Sequence, residues 1–473
     1  MKRIDILPND VLLEIFDFYL DMYSIYDFKP YIEVWQLLVH VCRRWRSLVL
    51  GSPRRLNLRL HCTPATPAKD TMDVWPALPL IVEGCTSLTP STDNIIAALG
   101  QSNCVCQVNL HLFLVRELEE VLAVMQVPFP EMTQMKLFAR VDDDETPPVI
   151  PDSFLGGSAP RLQHFQLLGI PFPGLPKLLS SATHLVSLSL TSIPHSGYIS
   201  PEAMVTLLSV LSGLRRFVLE FRSPQSRPDW EILSPLKRSI LPVLDEFLFT
   251  GVGTYLGELV THIDTPRLHK MLIELFNQID FDCPRLARFL NRTPTLSACD
   301  EAQVRFSDTA VNVILRYRTS GTDSNYLLIE ISCSESDLQL SSIERVCNFT
   351  LYPPLSAVED LYIGSERRYS ALVWKDDAIE NSLWLQLLLP FTAVKNLYLS
   401  KEFAPGIAAA LQELAVGGRM TEVLPSLLTI FVEGIGPWGP FQEHIGQFIV
   451  ARRLSDHPIT ISVWDKDSNL DWG

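Results

Sequence analysis

Leu162-Gln163-His164-Phe165-Gln166-Leu167 and, one segment later, Leu185-Val186-Ser187-Leu188-Ser189-Leu190 share a frame: apolar, two variable residues, apolar, one variable residue, apolar. Within it, apolar residues alternate with others, the pattern of a strand that buries one face. The frame recurs at Ala77/Leu80/Val82, Val105/Val108/Leu110, Met132/Met135/Leu137, Leu214/Phe217/Leu219, Leu244/Phe247/Phe249 and Leu268/Met271/Ile273. After a gap it returns at Val358/Leu361/Ile363, Val394/Leu397/Leu399 and Leu427/Ile430/Val432, with consecutive starts about 23–36 residues apart. Segments such as Glu202–Leu211 and Ala378–Leu389 carry apolar residues at helical spacing between the frames. Proline punctuates the returns, as in Ser158-Ala159-Pro160 and Pro353-Pro354. One strand and one helical segment per unit, stacked so that neighbours bury each other's faces, is the logic of a repeat array. An ordinary α/β protein with a parallel sheet is the alternative.

The frame resembles the strand of a leucine-rich repeat. The fold class expected is therefore α/β: an N-terminal helical domain over residues 1–60, an irregular leucine-rich-repeat-like solenoid over 61–463, and a polar tail over 464–473. Between Ile273 and Val358 the frame lapses. There Val311–Arg318 and Tyr326–Cys333 alternate in polarity around a polar turn, which predicts a β-hairpin inserted near 311–333. Arg140–Pro148 reads as a solvated acidic loop; it lacks the glycine and spacing of a calcium loop.

At the N-terminus, Leu12, Ile15, Phe16 and Tyr19 recur on one helix face, behind Pro8 in the first turn and the acceptors Asn9 and Asp10. A second helical run over 31–50 carries Val34, Leu37, Leu38, Val41, Trp45 and Leu48, and Asp21–Pro30 between the two reads as a loop. Periodicity leaves two roles open for these helices, a docking module or a cap on the following fold.

Leu7-Pro8, Ile15-Phe16 and Cys42-Arg43-Arg44-Trp45, running on to Arg54-Arg55-Leu56-Asn57-Leu58, resemble an F-box, in particular that of the large family in mushroom-forming fungi. The resemblance covers about an eighth of the chain. It implies that Leu7, Pro8, Val11, Leu12, Ile15, Phe16, Val41, Cys42 and Trp45 bind a Skp-type adaptor of a cullin–RING ubiquitin ligase. It departs from the family where the loop Asp21–Pro30 replaces a short middle helix.

Composition bounds the classes. Hydrophobic residues make up 47% and charged residues 20% of 473, fitting a folded chain with a substantial core. Thirty-nine Lys and Arg against 54 Asp and Glu leave a formal charge of −15, which opposes nucleic acid and anionic membranes as partners. No apolar run has the length of a membrane span, and residues 1–20 lack the basic-then-apolar layout expected of a signal peptide. The nine cysteines are scattered, so an intracellular setting is expected, cytoplasmic or nuclear. Cys104-x-Cys106 precedes a strand and lacks a second pair at zinc spacing, so its sulfurs read as buried thiols. No phosphate-binding glycine loop, nucleophile elbow or metalloprotease motif is present. Neither cofactor nor metal is expected, and the chain is read as no enzyme, although a site converging in three dimensions is the residual alternative.

The remaining expectation concerns a protein client. The middle variable position of successive frames gives Gln166, Ser189, Val218, Leu248, Leu272, Tyr362, Tyr398 and Phe431, a row that becomes aromatic toward the C-terminus. Tyr362, Tyr398 and Phe431 are the candidate client-binding residues; burial of the same rings by C-terminal elements is the alternative.

Overall fold

In a computed structural model of the chain, the residues described are 7–24, 34–65, 72–75, 78–86, 92–140, 147–224, 238–276, 283–296, 299–317, 325–365, 381–434 and 440–464. The chain is mixed α/β, and it divides into two compact units, Met1–Tyr198 and Ile199–Gly473.

Unit 1 opens with three helices, α1 (Asn9–Ser24), α2 (Val34–Val39) and α3 (Arg43–Gly51). Six parallel strands follow in sequence order: β1 (Leu60–Cys62), β2 (Leu80–Cys85), β3 (Val105–Leu112), β4 (Gln134–Ala139), β5 (His164–Leu168) and β6 (Ser187–Ile193). Helices α4 (Asp93–Leu99), α5 (Val115–Val124) and α6 (Leu175–Leu179) join successive strands and bury Ile95, Leu118, Val121 and Leu178.

Unit 2 continues the pattern with β7 (Arg216–Phe221), β9 (Glu246–Gly251) and β11 (Lys270–Leu275), all parallel, while β8 (Ser239–Ile240) and β10 (Ile263–Asp264) form a separate small ladder. Then come β12 (Glu301–Phe306), β13 (Ala310–Tyr317) and β14 (Asn325–Ser332), and finally β15 (Asp360–Ser365), β16 (Asn396–Leu399), β17 (Thr429–Glu433) and β18 (Thr460–Trp464). Its helices include α7 (Pro201–Leu208), α8 (Gly253–Thr261), α9 (Cys283–Arg292), α10 (Ser336–Arg345), α11 (Tyr352–Leu355), α12 (Asn381–Leu388), α13 (Ala404–Val416) and α14 (Pro440–Leu454).

Every frame read from the sequence is a strand, although Ala77 lies outside the described residues. The reason is visible in the turns. Phe129-Pro130-Glu131-Met132, Ala159-Pro160-Arg161-Leu162, Leu241-Pro242-Val243-Leu244, Thr265-Pro266-Arg267-Leu268, Thr293-Pro294-Thr295-Leu296 and Leu424-Pro425-Ser426-Leu427 repeat one turn. In each, the fourth residue's N–H donates to the first residue's carbonyl at 3.0–3.4 Å. Proline presets the backbone at the second position, and the closing apolar residue is buried. In the strands that follow, the buried-face residues pack on the helices: Tyr255 of α8 lies against Phe221 and Phe249, and Trp384 of α12 against Phe306. The alternate residues form the opposite, open face of each sheet.

Four expectations need correction or completion. First, the hairpin expected near 311–333 is present and does not stand alone. It is β13–β14, and β12 joins it to make an antiparallel meander within the sheet, with β14 parallel to β11 and β12 parallel to β15. Ala302, Val304 and Phe306 of β12 alternate behind the buried Cys299, which holds the leading position that Val358 holds for β15. Second, the C-terminal boundary at 463/464 cuts a strand, because Trp464 ends β18 and is 5% exposed; the rest of the predicted tail, 465–473, lies outside the described residues. Third, the helical run 31–50 is two helices. Cys42 is extended and its Sγ accepts from the Trp45 N–H at 3.5 Å, starting α3 anew. Fourth, α1 begins at Asn9, with Pro8 lending its carbonyl to the Leu12 N–H at 3.1 Å. It runs through Ser24, so Asp21–Ser24 are helix and not loop; residues 25–33, like 141–146 of the acidic loop, lie outside the described residues.

Candidate protein-binding surfaces

The N-terminal helices divide the nine predicted adaptor residues into two sets. Leu12 and Phe16 are buried beside Leu13, and the Phe16 ring meets the half-buried Trp45 ring at 4.7 Å between centroids. Arg44 holds the entry to α1 by donating to Asn9 Oδ1 at 2.8 Å, and Trp35 Nε1 donates to the Arg59 carbonyl at 2.9 Å, tying α2 to the chain entering β1. Leu12 and Phe16 are therefore internal supports rather than contact residues. Leu7 is half-buried, while Pro8, Val11, Ile15, Val41 and Cys42 are exposed.

The exposed set does not end there. Val11 is 42%, Ile15 46% and Phe18 72% exposed. At 100° per residue these three fall within about 60° of the circumference of α1, roughly opposite Leu12, Leu13 and Phe16. Leu37 and Val41, also exposed, add two apolar side chains after α1. A helix apolar on both sides has one face for its own core and another that water solvates poorly. Phe18, Leu37 and the exposure of Val41 are what periodicity could not separate, since it grades hydrophobicity and not which face is covered.

The second surface is the open face of unit 2. Register pairs Tyr362 with Tyr398 and Tyr398 with Phe431 on adjacent strands. Their rings stack at 4.2 Å and 4.5 Å, with interplanar angles of 10° and 8°. The structure thus brings the three predicted client residues together, and each is half-buried. Part of their cover is Trp464, whose ring lies 5.9 Å from Tyr362 and 5.5 Å from Tyr398. Among the C-terminal elements, the loop residues 435–438 lie outside the described residues. Burial, with the negative charges of Glu301 and Asp360 nearby, pushes the Tyr362 hydroxyl up from its ordinary value, and burial and Asp360 push Tyr398 the same way.

The aromatic row is one end of a longer lane. Register carries it back through Gln303 and Ile314 to Leu328, Leu272, Leu248 and Val218. Leu248, Leu272 and Leu328 are half-buried, whereas Val218, Ile314 and Gln303 are buried. Two residues from this lane, toward the start of each parallel strand and the end of the antiparallel β13, lies a mixed-charge lane closed by ion pairs, Arg216 with Glu246 and Arg316 with Glu301. Two residues the other way, Glu220, Thr250, Glu274 and Glu330 align by register on β7, β9, β11 and β14. Leu248 and Leu272 were legible in the sequence; Leu328 and the acidic lane were not, because the meander breaks the frame that would have aligned them.

Among the described residues, no three His, Cys, Asp or Glu side chains gather as a metal site. Cys106 lies within β3, at a shift of register against β2, so only Cys104 precedes the strand. Burial raises the Cys106 thiol and lifts Cys299 to about 12, so both are protonated at neutral pH. No described helix is long and apolar enough to cross a membrane.

No family model matches this chain, and no curated protein matches it. Among solved structures it is similar to the crystal structure of the leucine-rich repeat-containing protein LegL7 from Legionella pneumophila, at 11% identity and a TM-score of 0.27, over 83% of this chain and 97% of that one. A likeness at that level carries no argument about function. The strand frames stand on the residues themselves.

Proposed function

We propose that this chain is the substrate-recognition subunit of an SCF-type ubiquitin ligase, docking a Skp-type adaptor on its N-terminal helices and a client protein on the open face of unit 2. One observation carries the reading: the apolar stripe Val11, Ile15 and Phe18 faces solvent while Leu12, Leu13 and Phe16 seat the same helix on its own core. A cap needs only the second face. The first suits a partner, and Leu7-Pro8, Ile15-Phe16 and Cys42-Arg43-Arg44-Trp45 supply its identity by resemblance. Catalysis then belongs to the partner assembly. This chain acts by tethering, since holding client and ubiquitin-charged enzyme in one complex raises their effective concentration.

The test is direct binding of the purified full chain to a Skp-type adaptor, beside an Ile15→Asp/Phe18→Asp variant. Both changes are on the exposed face, so the variant is expected to fold; a Leu12 substitution would confound folding with binding. Binding by the wild type and at least tenfold loss in the variant are expected. Absence of wild-type binding would overturn the ligase reading. It would leave a protein-binding scaffold whose helices cap unit 1, a reading that the Trp35–Arg59 hydrogen bond favours.

A further inference from the structure

We propose that two copies of this chain associate through β18, the outer edges of the two strands pairing antiparallel about a two-fold axis at Ser462. The association is independent of the function proposed above.

β18 is the outermost strand of unit 2 and, among the described residues, has a neighbour on one side only, β17. Its residues on the helix side are Ile461 and Val463, which register sets beside Ile430 and Val432. Ile430 and Val432 are buried, as are Leu397 and Leu399 one strand further in, yet Ile461 is 36% and Val463 68% exposed. The last strand thus carries the apolar side of a repeat without its cover. Edge strands are commonly protected against pairing by shortness, charge, proline or a bulge. β18 has none of these. Its five residues, Thr460–Trp464, pair with β17 without a shift of register, and no charged residue or proline occurs among them. The outermost strand of unit 1, β1, is the contrary case: it is three residues long, and its His61 stands 3.6 Å from Glu83.

The bare edge fits its own image. The Thr460 N–H donates inward to the Leu428 carbonyl at 2.9 Å, so Thr460, Ser462 and Trp464 turn their backbone groups toward β17, and Ile461 and Val463 turn theirs outward. Those two residues stand symmetrically about Ser462. An antiparallel partner centred there sets Ile461 of each copy opposite the partner's Val463, and each such pair exchanges N–H···O=C bonds. The same pairing brings the exposed apolar side chains against one another on the helix side. A two-fold contact asks for a patch that complements itself, and one strand here supplies both halves. On the open face, Ser462 follows Tyr362, Tyr398 and Phe431 in register. The aromatic rows of the two copies therefore meet end to end across the axis, and a client encounters the same platform twice.

Sedimentation equilibrium of the purified full chain is expected to show a species of twice the chain's mass that grows with concentration. Val463→Lys puts a charge on the bare edge at an exposed position, so the variant is expected to keep the wild-type circular dichroism and melting profile while remaining monomeric. Val416→Lys, exposed on α13 rather than on β18, is expected to leave association unchanged. Ser462→Cys tests the register. At a non-hydrogen-bonded antiparallel pair the Cα atoms stand about 4.5 Å apart, within disulfide reach, so mild oxidation is expected to link two copies of this variant and not of the wild type. A wild-type chain that stays monomeric at every concentration overturns the proposal and leaves the edge to residues 465–473 or to another protein. A dimer that withstands Val463→Lys, or a Ser462→Cys variant that links no more than the wild type, overturns it as well.

Discussion

Both units raise their strands on one frame, yet the faces they turn away from their helices differ. In unit 1 the open positions run Gln107, Gln134, His164 and Ser187 in one row and Asn109, Lys136, Gln166 and Ser189 in the next. In unit 2 the corresponding central row is Leu248, Leu272 and Leu328, then Tyr362, Tyr398 and Phe431. The frame residues are held by packing and cannot vary far, whereas the open ones are tied to the fold only by strand geometry. Recognition can therefore be written into one stretch of the array and left out of another. A polar row is easily solvated, whereas an apolar row is not.

Four experiments would break or sharpen that comparison. The largest effect is expected where the units are alike. Phe165→Ala in unit 1 and Phe247→Ala in unit 2 each remove a buried frame ring and should each cost about 3–5 kcal/mol in denaturant unfolding. A loss below about 1 kcal/mol at either would break the equivalence of the two frames. Next, Trp464→Ala removes a ring found only on the face of unit 2. It should cost about 2–3 kcal/mol, and aqueous quenchers should then reach the tyrosine emission of the row.

The third difference is in alkaline sensitivity. Because the hydroxyls of Tyr362 and Tyr398 are raised in the folded chain, they favour the fold below the ordinary tyrosine value of about 10 and lose that contribution as pH climbs toward their folded values. Unfolding midpoints measured from pH 9 upward should fall, and Tyr362→Phe/Tyr398→Phe should flatten the fall. The smallest effect belongs to unit 1. The His61 ring beside it, outweighing the opposing effect of burial, holds the Glu83 carboxyl below its ordinary value; the pair stands 3.6 Å apart and both partners are more than a third exposed. Its contribution is present above the ordinary carboxylate value and lost as pH falls through the folded one. Acid titration of His61→Gln should shift only slightly from wild type.

Much of the fold was legible because each strand announces itself locally: the frame residue, the alternation and the turn before it lie within ten residues. The proline turns, repeated six times in the described structure, are a stronger signal than the leucines and can be read from Pro160 and Pro266 alone once their place is known. What could not be read was pairing between distant strands. Nothing near Glu301–Phe306 says that it lies beside both β13 and β15, so β12 escaped notice and with it the alignment of Glu274, Glu330 and Asn312. Likewise Leu12 and Ile15 are equally apolar on paper, and only the packing of Phe16 on Trp45 shows which side of α1 is inward.

The meander has a consequence for how unit 2 assembles. In a regular array each strand docks on the one before it, and order spreads from neighbour to neighbour at small entropic expense. At β11 that zipping stops, because the next strand in sequence, β12, is not its neighbour; Lys270 pairs with Tyr326, and Glu301 with Asp360. The chain must close a long loop and fold a three-stranded antiparallel block before β15 finds its seat. Order can therefore spread freely on either side of this junction but crosses it only by a non-local step, which makes the junction the expected bottleneck in the refolding of unit 2.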